Sequence, residues 1–324
     1  MSDLFPVPRH LEQAEYTLLI FQLEAREYFD LPPLGLLRLR REFQQAIRAL
    51  RDAGEQQLGR ELQQLLEPVV PVDPQLRKRV QRPAPPLVLR PDPGRSGLIE
   101  PGDWLELPVL FLGCGMASVE AFARLLQQVA RLGLVNGGGV CELATVEAED
   151  GSGRRTTLWN RGPLAGALTP VVNDLKWWLE RQPLAWNPLR LEFVTPARFL
   201  RGGRPLFNAG FAELFPFILR RVTAMLAAHC RIEAVPDPAP LLQAAAGVAE
   251  RHNGLHWRDW RLLAAGRGGQ DLGGLCGALE LSGSGLGDLL WILQLGSLLQ
   301  VGKGAPYGAG RYQLCQESLD VGSC

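Results

Sequence analysis

The stretch Val301-Gly302-Lys303-Gly304-Ala305-Pro306-Tyr307-Gly308-Ala309-Gly310-Arg311-Tyr312 decides how this chain is read. Four glycines, a lysine and an arginine lie there between an apolar helical run, Leu286 to Leu299, and a short strand ending at Leu314. Glycine has no Cβ and takes positive φ readily, so such a loop lets a phosphate approach backbone N–H groups. The two familiar phosphate loops do not fit. Gly302-x-Gly304-x-x-x-Gly308 departs from the G-x-G-x-x-G spacing, and Lys303 is followed by glycine rather than Ser or Thr. Both motifs also open a helix, whereas Tyr307 to Leu314 reads as a strand.

The helix and strand on either side of the loop close a repeating scheme. Upstream come a strand at Leu189 to Thr195, a basic loop at Pro196 to Pro205, a helix at about Ala209 to Ala228 and a short helix near Leu241 to Arg251. Strands at His256 to Ala264 and Gly274 to Leu281 follow. The order is β-α-β-β-α-β, the ferredoxin-like unit. The first half reads similarly: a strand at Glu15 to Ala25, helical periodicity from Leu34 to Leu66 with a break near Gly54, then a strand at Trp104 to Leu112. A helix at about Ala117 to Leu132, the Gly137-Gly138-Gly139 turn, a strand at Val140 to Glu147 and a hairpin turn, Glu149 to Gly153, into Arg154 to Trp159 complete it. Residues 68–102 hold nine prolines and a basic run, and predict a loop with one short strand near Leu87 to Arg90. The expected class is α+β, two tandem ferredoxin-like (RRM-like, βαββαβ) domains. Their boundaries are read as 1–160, a linker at 161–187, and 188–324 with the glycine-rich loop at 301–311.

At 324 residues and 46% hydrophobic content the chain can bury a sizeable core. No apolar run approaches the roughly 18 residues of a membrane span, and the N-terminus lacks a signal-peptide apolar segment, so no membrane association and a cytoplasmic location are expected. The six cysteines are scattered without a C-x-x-C pair, which supports neither a zinc site nor a disulfide framework. Net charge is zero, but lysine occurs only at Lys78, Lys176 and Lys303, so arginine carries nearly all the positive charge. Two segments are locally basic: Arg77-Lys78-Arg79-x-x-Arg82 running on to Arg90 and Arg95, and Arg190, Arg198, Arg201 and Arg204 continuing to Arg220-Arg221. Such runs are ordinarily solvated faces, and arginine also suits bidentate phosphate contact.

Several pieces in order carry a family resemblance. They are Val301 to Tyr312; Phe193-Val-Thr-Pro-Ala-Arg198; Arg220-Arg221; Trp257-x-x-Trp260 with Gly273-Gly274-x-x-Gly277; and Leu110-Phe-Leu-Gly113 followed by Leu132-Gly-Leu and Gly137-Gly138-Gly139. Together they resemble the CRISPR-associated endoribonucleases of the RAMP superfamily that process precursor CRISPR RNA. The resemblance implies cleavage without metal or cofactor: the ribose 2′-OH attacks the adjacent phosphate and leaves a 2′,3′-cyclic phosphate and a 5′-OH. It implies CRISPR repeat RNA as partner, allows other CRISPR effector subunits, and allows a homodimer. Arg41, Arg198, Arg201, Arg204, Gly302, Lys303, Gly304, Gly308, Gly310 and Arg311 are the residues it points to for RNA binding.

This chemistry needs a base, an acid and cations for the phosphorane charge. Many family members carry a histidine in or near the first helix, and this chain has none between His10 and His229. The candidates left are His10, Tyr28 just before that helix, and Arg38 as a phosphate stabiliser, since arginine does not deprotonate. The alternative function is a non-catalytic RAMP-type subunit that holds guide RNA. His252-x-x-x-His256 lacks a metal-site glutamate and reads as two unrelated surface histidines; His229, in an apolar helix beside Cys230, reads as a core residue. For Trp177-Trp178, Trp186, Trp257 and Trp260 packing is favoured over base stacking, and Tyr307 and Tyr312 are open to either phosphate contact or packing.

Overall fold

The computed structural model describes residues 7–71, 77, 80, 82–164, 166, 168–182, 187–259 and 273–316. Lys78, Arg79, Trp186, Trp260 and the expected strand beyond Asp259 lie outside the described residues. No helix among those described is long and apolar enough to cross a membrane.

The N-terminal half is built on β1 (Glu15–Ala25), β2 (Leu87–Leu89), β3 (Trp104–Leu112), β4 (Cys141–Glu149) and β5 (Arg155–Asn160), with helices α1 (Arg40–Asp52), α2 (Gln56–Leu66) and α3 (Val119–Leu132). The sheet order is β2-β3-β1-β4-β5, antiparallel throughout, so the first strand sits at the centre. The C-terminal half repeats this with β6 (Leu189–Ala197), β7 (Ala249–Asn253), β8 (His256–Arg258), β9 (Gly274–Ser282) and β10 (Tyr312–Gln316), and with α4 (Phe211–Met225) and α5 (Leu286–Leu299). Its order is β7-β9-β6-β10, with β8 also on β9. Both are the ferredoxin-like arrangement that the alternation of the sequence predicts.

Patterning explains how the halves meet. On β3, Val109 and Phe111 join Phe21, Phe43 and Phe122 in one core, and Leu110 and Leu112 join Phe193, Phe215 and Ile218 in the other. All four residues of Val109–Leu112 are fully buried, because helices cover one face of the sheet and the second half covers the other. A continuous apolar run, rather than an alternating one, is the sequence mark of that burial.

Four segments differ from expectation. The helix expected over Leu241–Arg251 occupies Ala239–Ala246; Gly247 ends it, and Ala249–Asn253 pair with β9 instead. The last strand starts at Tyr312 rather than Tyr307, because Gly308 and Gly310 have φ of 98° and 67°, outside extended backbone. The segment 161–187 contains Asn173–Asp174, which pairs with β1, and a helix at Leu175–Glu180, where Asp174 accepts the Trp177 N–H at 2.7 Å. The basic loop at Pro196–Pro205 includes a hairpin of Leu200–Arg201 with Arg204–Pro205, turned by Gly202 and Gly203. Both glycines have positive φ, as a two-residue hairpin turn requires.

Candidate nucleic-acid interface

The glycine loop begins where α5 ends, and that end is held by two arginines. A helix leaves its last carbonyls without partners and carries a partial negative charge there. Arg221 donates to the Leu299 and Gln300 carbonyls at 3.1 and 3.2 Å, and Arg90, from the N-terminal half, donates to those of Ser297 and Leu298. Burial lowers both guanidinium pKa values to about 10, so both stay charged at neutral pH. Gln300 Nε2 donates to the Leu89 carbonyl at 3.0 Å, and Arg311 Nη1 to that of Pro91 at 3.3 Å. The loop is therefore stapled to the N-terminal half at both ends.

Its interior is closed on itself. The Val301 N–H donates to Gly310 O, Gly310 N–H to Pro196 O, Lys303 N–H to Arg198 O, and Tyr307 N–H to Gly304 O. Thr195 Oγ1 donates to Gly308 O and accepts from the Arg311 N–H, both at 2.8 Å. Among the described residues the amides of Gly302 and Gly304 alone in this loop have no acceptor, Pro306 aside. Gly308 and Gly310 are buried. A Cβ on Gly308 would press on Leu37 and Pro91 at 3.2 Å, and one on Gly310 would overlap the Val301 carbonyl. At these two positions the glycines permit close packing, and only Gly302, Lys303 and Gly304 leave groups that a phosphate could meet.

Tyr307 explains why the loop is shaped this way. Its ring enters the N-terminal core, 6.3 Å from the Phe43 ring, with the Arg40 guanidinium 5.8 Å above it. Burial raises its pKa to about 12. Tyr312 is wholly buried and donates to the Leu293 carbonyl at 2.6 Å. Both tyrosines pack.

Beside Tyr307 lies the start of α1, where the sequence places Arg38 and Arg41. Arg41 Nη1 donates to Asn136 Oδ1 at 3.3 Å, bringing α1 against the Asn136–Gly139 turn. Glu27 Oε1 accepts the Gly139 and Val140 N–H groups at 2.8 and 3.0 Å, and Phe29 packs where a Gly139 side chain would stand. Tyr28, between those two, is 67% exposed. Tyr28, Arg38 and Arg41 thus belong to segments that gather on one turn, at the C-terminal end of β1.

His10 is not part of this gathering. It is exposed on a 3₁₀ turn, Arg9–Gln13, that precedes β1 and packs with the Leu175–Glu180 helix. β1 has 11 residues, about 36 Å of strand, so His10 and Tyr28 stand at opposite ends of it. One scissile phosphate cannot meet both.

One buried charge in this region stands out in the structure and not in the sequence. Glu42, on the apolar stripe of α1 with Leu39, Phe43 and Ala46, is 7% exposed, and its Oε2 has no hydrogen-bond partner among the described residues. Burial raises its pKa, against the pull of Arg41 and Arg38. A carboxylate on a helix's core-facing positions was the available signal.

The other basic candidates divide. Arg198, Gly302 and Lys303 meet at the opposite end of the glycine loop from Tyr307. Arg201 is paired with Glu213 at 3.0 Å, and Arg204 is exposed on the hairpin. Arg311 is half-buried, with a pKa lowered by that burial. His229 is buried, its Nε2 2.8 Å from Ala84 O, and burial lowers its pKa to about 4. Trp177 packs on Gly151 and carries Arg181, 4.4 Å from its ring, while Trp257 lies edge-on to Phe207 at 4.7 Å.

Tandem ferredoxin-like halves with a glycine loop tied to the first of them are the architecture that carries these residues. Residues 191–312 match the model of the CRISPR-associated endoribonuclease Cas6, and residues 15–171 match a model described as an N-terminal domain. Among solved structures, a Cas6 product complex is 20% identical with a TM-score of 0.51, covering 92% of this chain and 98% of that one. Thermus thermophilus Cas6 is 18% identical with a TM-score of 0.50, covering 93% and 98%. A partial Cas6-RT-Cas1–Cas2 complex is 16% identical with a TM-score of 0.54; 96% of this chain is covered but only 47% of that chain, so this chain spans about half its length. At such identities the solved structures show the fold. No curated protein sequence matches significantly. Residues 191–312 thus resemble Cas6, and the chain as a whole shares the fold of the solved Cas6 structures.

Proposed function

We propose that the chain binds CRISPR repeat RNA and cuts it by internal transesterification, without a metal. The supporting observation is that Arg41 reaches Asn136 while Glu27 and Phe29, which flank the exposed Tyr28, hold Gly139 of the same turn, with Arg40 of the same helix over Tyr307 of the glycine loop. In the proposed step the ribose 2′ oxygen bonds to phosphorus and the bond from phosphorus to O5′ breaks. The 2′-OH proton leaves to a base, and O5′ takes up a proton. The nucleophile belongs to the substrate, so no metal-bound water has to be generated. Arg38 and Arg41 offset the charge of the phosphorane; a donor of this kind is worth roughly 10²- to 10³-fold. Tyr28 supplies an exposed hydroxyl for proton exchange, worth about 10²- to 10⁴-fold when well placed.

Single-turnover cleavage of a repeat-containing RNA by the purified chain tests this. Tyr28→Phe and Arg38→Ala are expected to slow cleavage by about 10²-fold or more at saturating protein, and His10→Ala by less than about threefold. A wild-type chain that binds the repeat tightly and never cuts it would establish the non-catalytic, guide-holding alternative, which the histidine-free first helix favours. Equal rates for wild type, Tyr28→Phe and Arg38→Ala would remove this site from the mechanism.

A further inference from the structure

Arg82, Arg198, Arg220, Arg221 and Lys303 line a single groove of about 640 Å³. The Pro-rich segment forms one wall through Val80, Arg82 and Ala84; α4 and the Gly302–Lys303 end of the glycine loop form the others. None of its lining residues is a carboxylate. In a chain of zero net charge this is a departure. Arg26, Arg124, Arg155 and Arg161 each lie against a glutamate. Arg82, Arg220 and Lys303 have no carboxylate partner among the described residues, and all three are exposed. Gathering like charges in a cleft opposes folding, and it raises the local concentration of an anionic ligand.

The groove offers a surface as well as charge. The Arg220 guanidinium lies 5.2 Å from the centroid of the half-buried Phe217 ring, a stacked pair of the kind on which a base can lie. Arg221, fixed on the end of α5, is an immobile positive charge in the wall. The Gly302 amide adds an N–H without an acceptor among the described residues.

We propose that this groove holds a single-stranded stretch of RNA that flanks the cut site, an inference that rests on the processing reading above. The volume suits one or two nucleotides and excludes a duplex. Phosphate-binding cations beside a stacking surface are the pattern of single-strand binding. Continuity supplies the direction: Gly302–Lys303 borders the groove, and Tyr307–Gly308 of the same loop lies on Leu37 beneath Arg40. A strand leaving the groove along the loop reaches the start of α1.

The test is equilibrium binding of the full chain to repeat RNA and to two trimmed RNAs, one lacking the upstream flank and one the downstream flank. The pair Arg82→Glu and Arg220→Glu, both at exposed positions, is compared with wild type, and thermal melts check the fold; Arg82→Ala with Arg220→Ala serves as the milder variant. The double charge reversal is expected to weaken binding of intact RNA at least 10-fold and to lower the salt slope by about 2. The single-turnover rate at saturating protein should stay within about threefold. On one of the two trimmed RNAs, variant and wild type should bind alike. Wild-type affinity and salt slope in the variant, an equal loss on both trimmed RNAs, or displacement of RNA by polyglutamate as readily as by an oligouridine of equal charge would overturn the assignment. If the wild-type chain cuts repeat RNA and the variant is unaffected, the groove alone fails. If the wild-type chain neither binds nor cuts it, the processing reading fails with it.

Discussion

His229 shows how burial sets the role of a residue whose type suggests catalysis. Its ring lies between Ala84 of the Pro-rich segment and Cys114, whose Sγ is 3.7 Å from Nδ1. Burial pushes its pKa from 6.5 down to about 4, so the folded chain holds it neutral at pH values where the unfolded chain protonates it. Stability should therefore be full above pH 6.5 and fall as pH drops from there to about 4. The loss amounts to about 3 kcal/mol at most, since one pKa unit is worth about 1.4 kcal/mol. In His229→Gln, which keeps a donor for Ala84, denaturant unfolding across this range should show a flatter pH dependence. An unchanged slope would mean that the ring is hydrated and titrates normally. The sequence made His229 legible as a core residue, because an apolar helix surrounds it. It left Glu42 unread, because a glutamate near a helix start ordinarily faces solvent, and its burial comes from the turn at Asn136, 94 residues away.

At the scale of elements, the glycine loop divides into parts with different tolerances. Gly310 has φ of 67° and no room for a methyl group beside the Val301 carbonyl; Gly304 has φ of 88° but only Ala309 Cβ nearby, at 3.3 Å. Gly310→Ala should destabilise the fold by at least about 3 kcal/mol, whereas Gly304→Ala should cost about 1–2 kcal/mol, the left-handed backbone penalty. Urea midpoints at a common m-value check this. Equal effects would show that the loop relaxes freely despite its internal hydrogen bonds. The loop, its flanking helix and both ferredoxin-like repeats were legible because periodicity and glycine placement are local signals. The use of its amides was not, since their acceptors on Pro196 and Arg198 are supplied by chain more than 100 residues upstream.

Across the whole molecule, the two halves form one structure because the loop and α5 are tied to the first half through buried groups. Arg90, Gln300, Tyr307 and Arg311 all cross between the halves. Arg90 sits just after a short strand that the Pro-rich composition nearly hides, so its role as a helix cap could not be read from the basic run to which it belongs. This tie sets the two basic regions in fixed relation: Arg38–Arg41 at one end of the glycine loop, and the Arg82–Arg220–Lys303 groove at the other. In the proposed reaction the nucleophile is the RNA's own 2′-OH, which a single 2′-deoxy substitution just upstream of the cut removes. In excess EDTA, the unmodified repeat should be cut at one site to give a 2′,3′-cyclic phosphate and a 5′-OH, while the 2′-deoxy RNA binds nearly as tightly and stays intact. Cleavage of the 2′-deoxy RNA at the same site, or loss of cleavage of the unmodified repeat in EDTA, would contradict it.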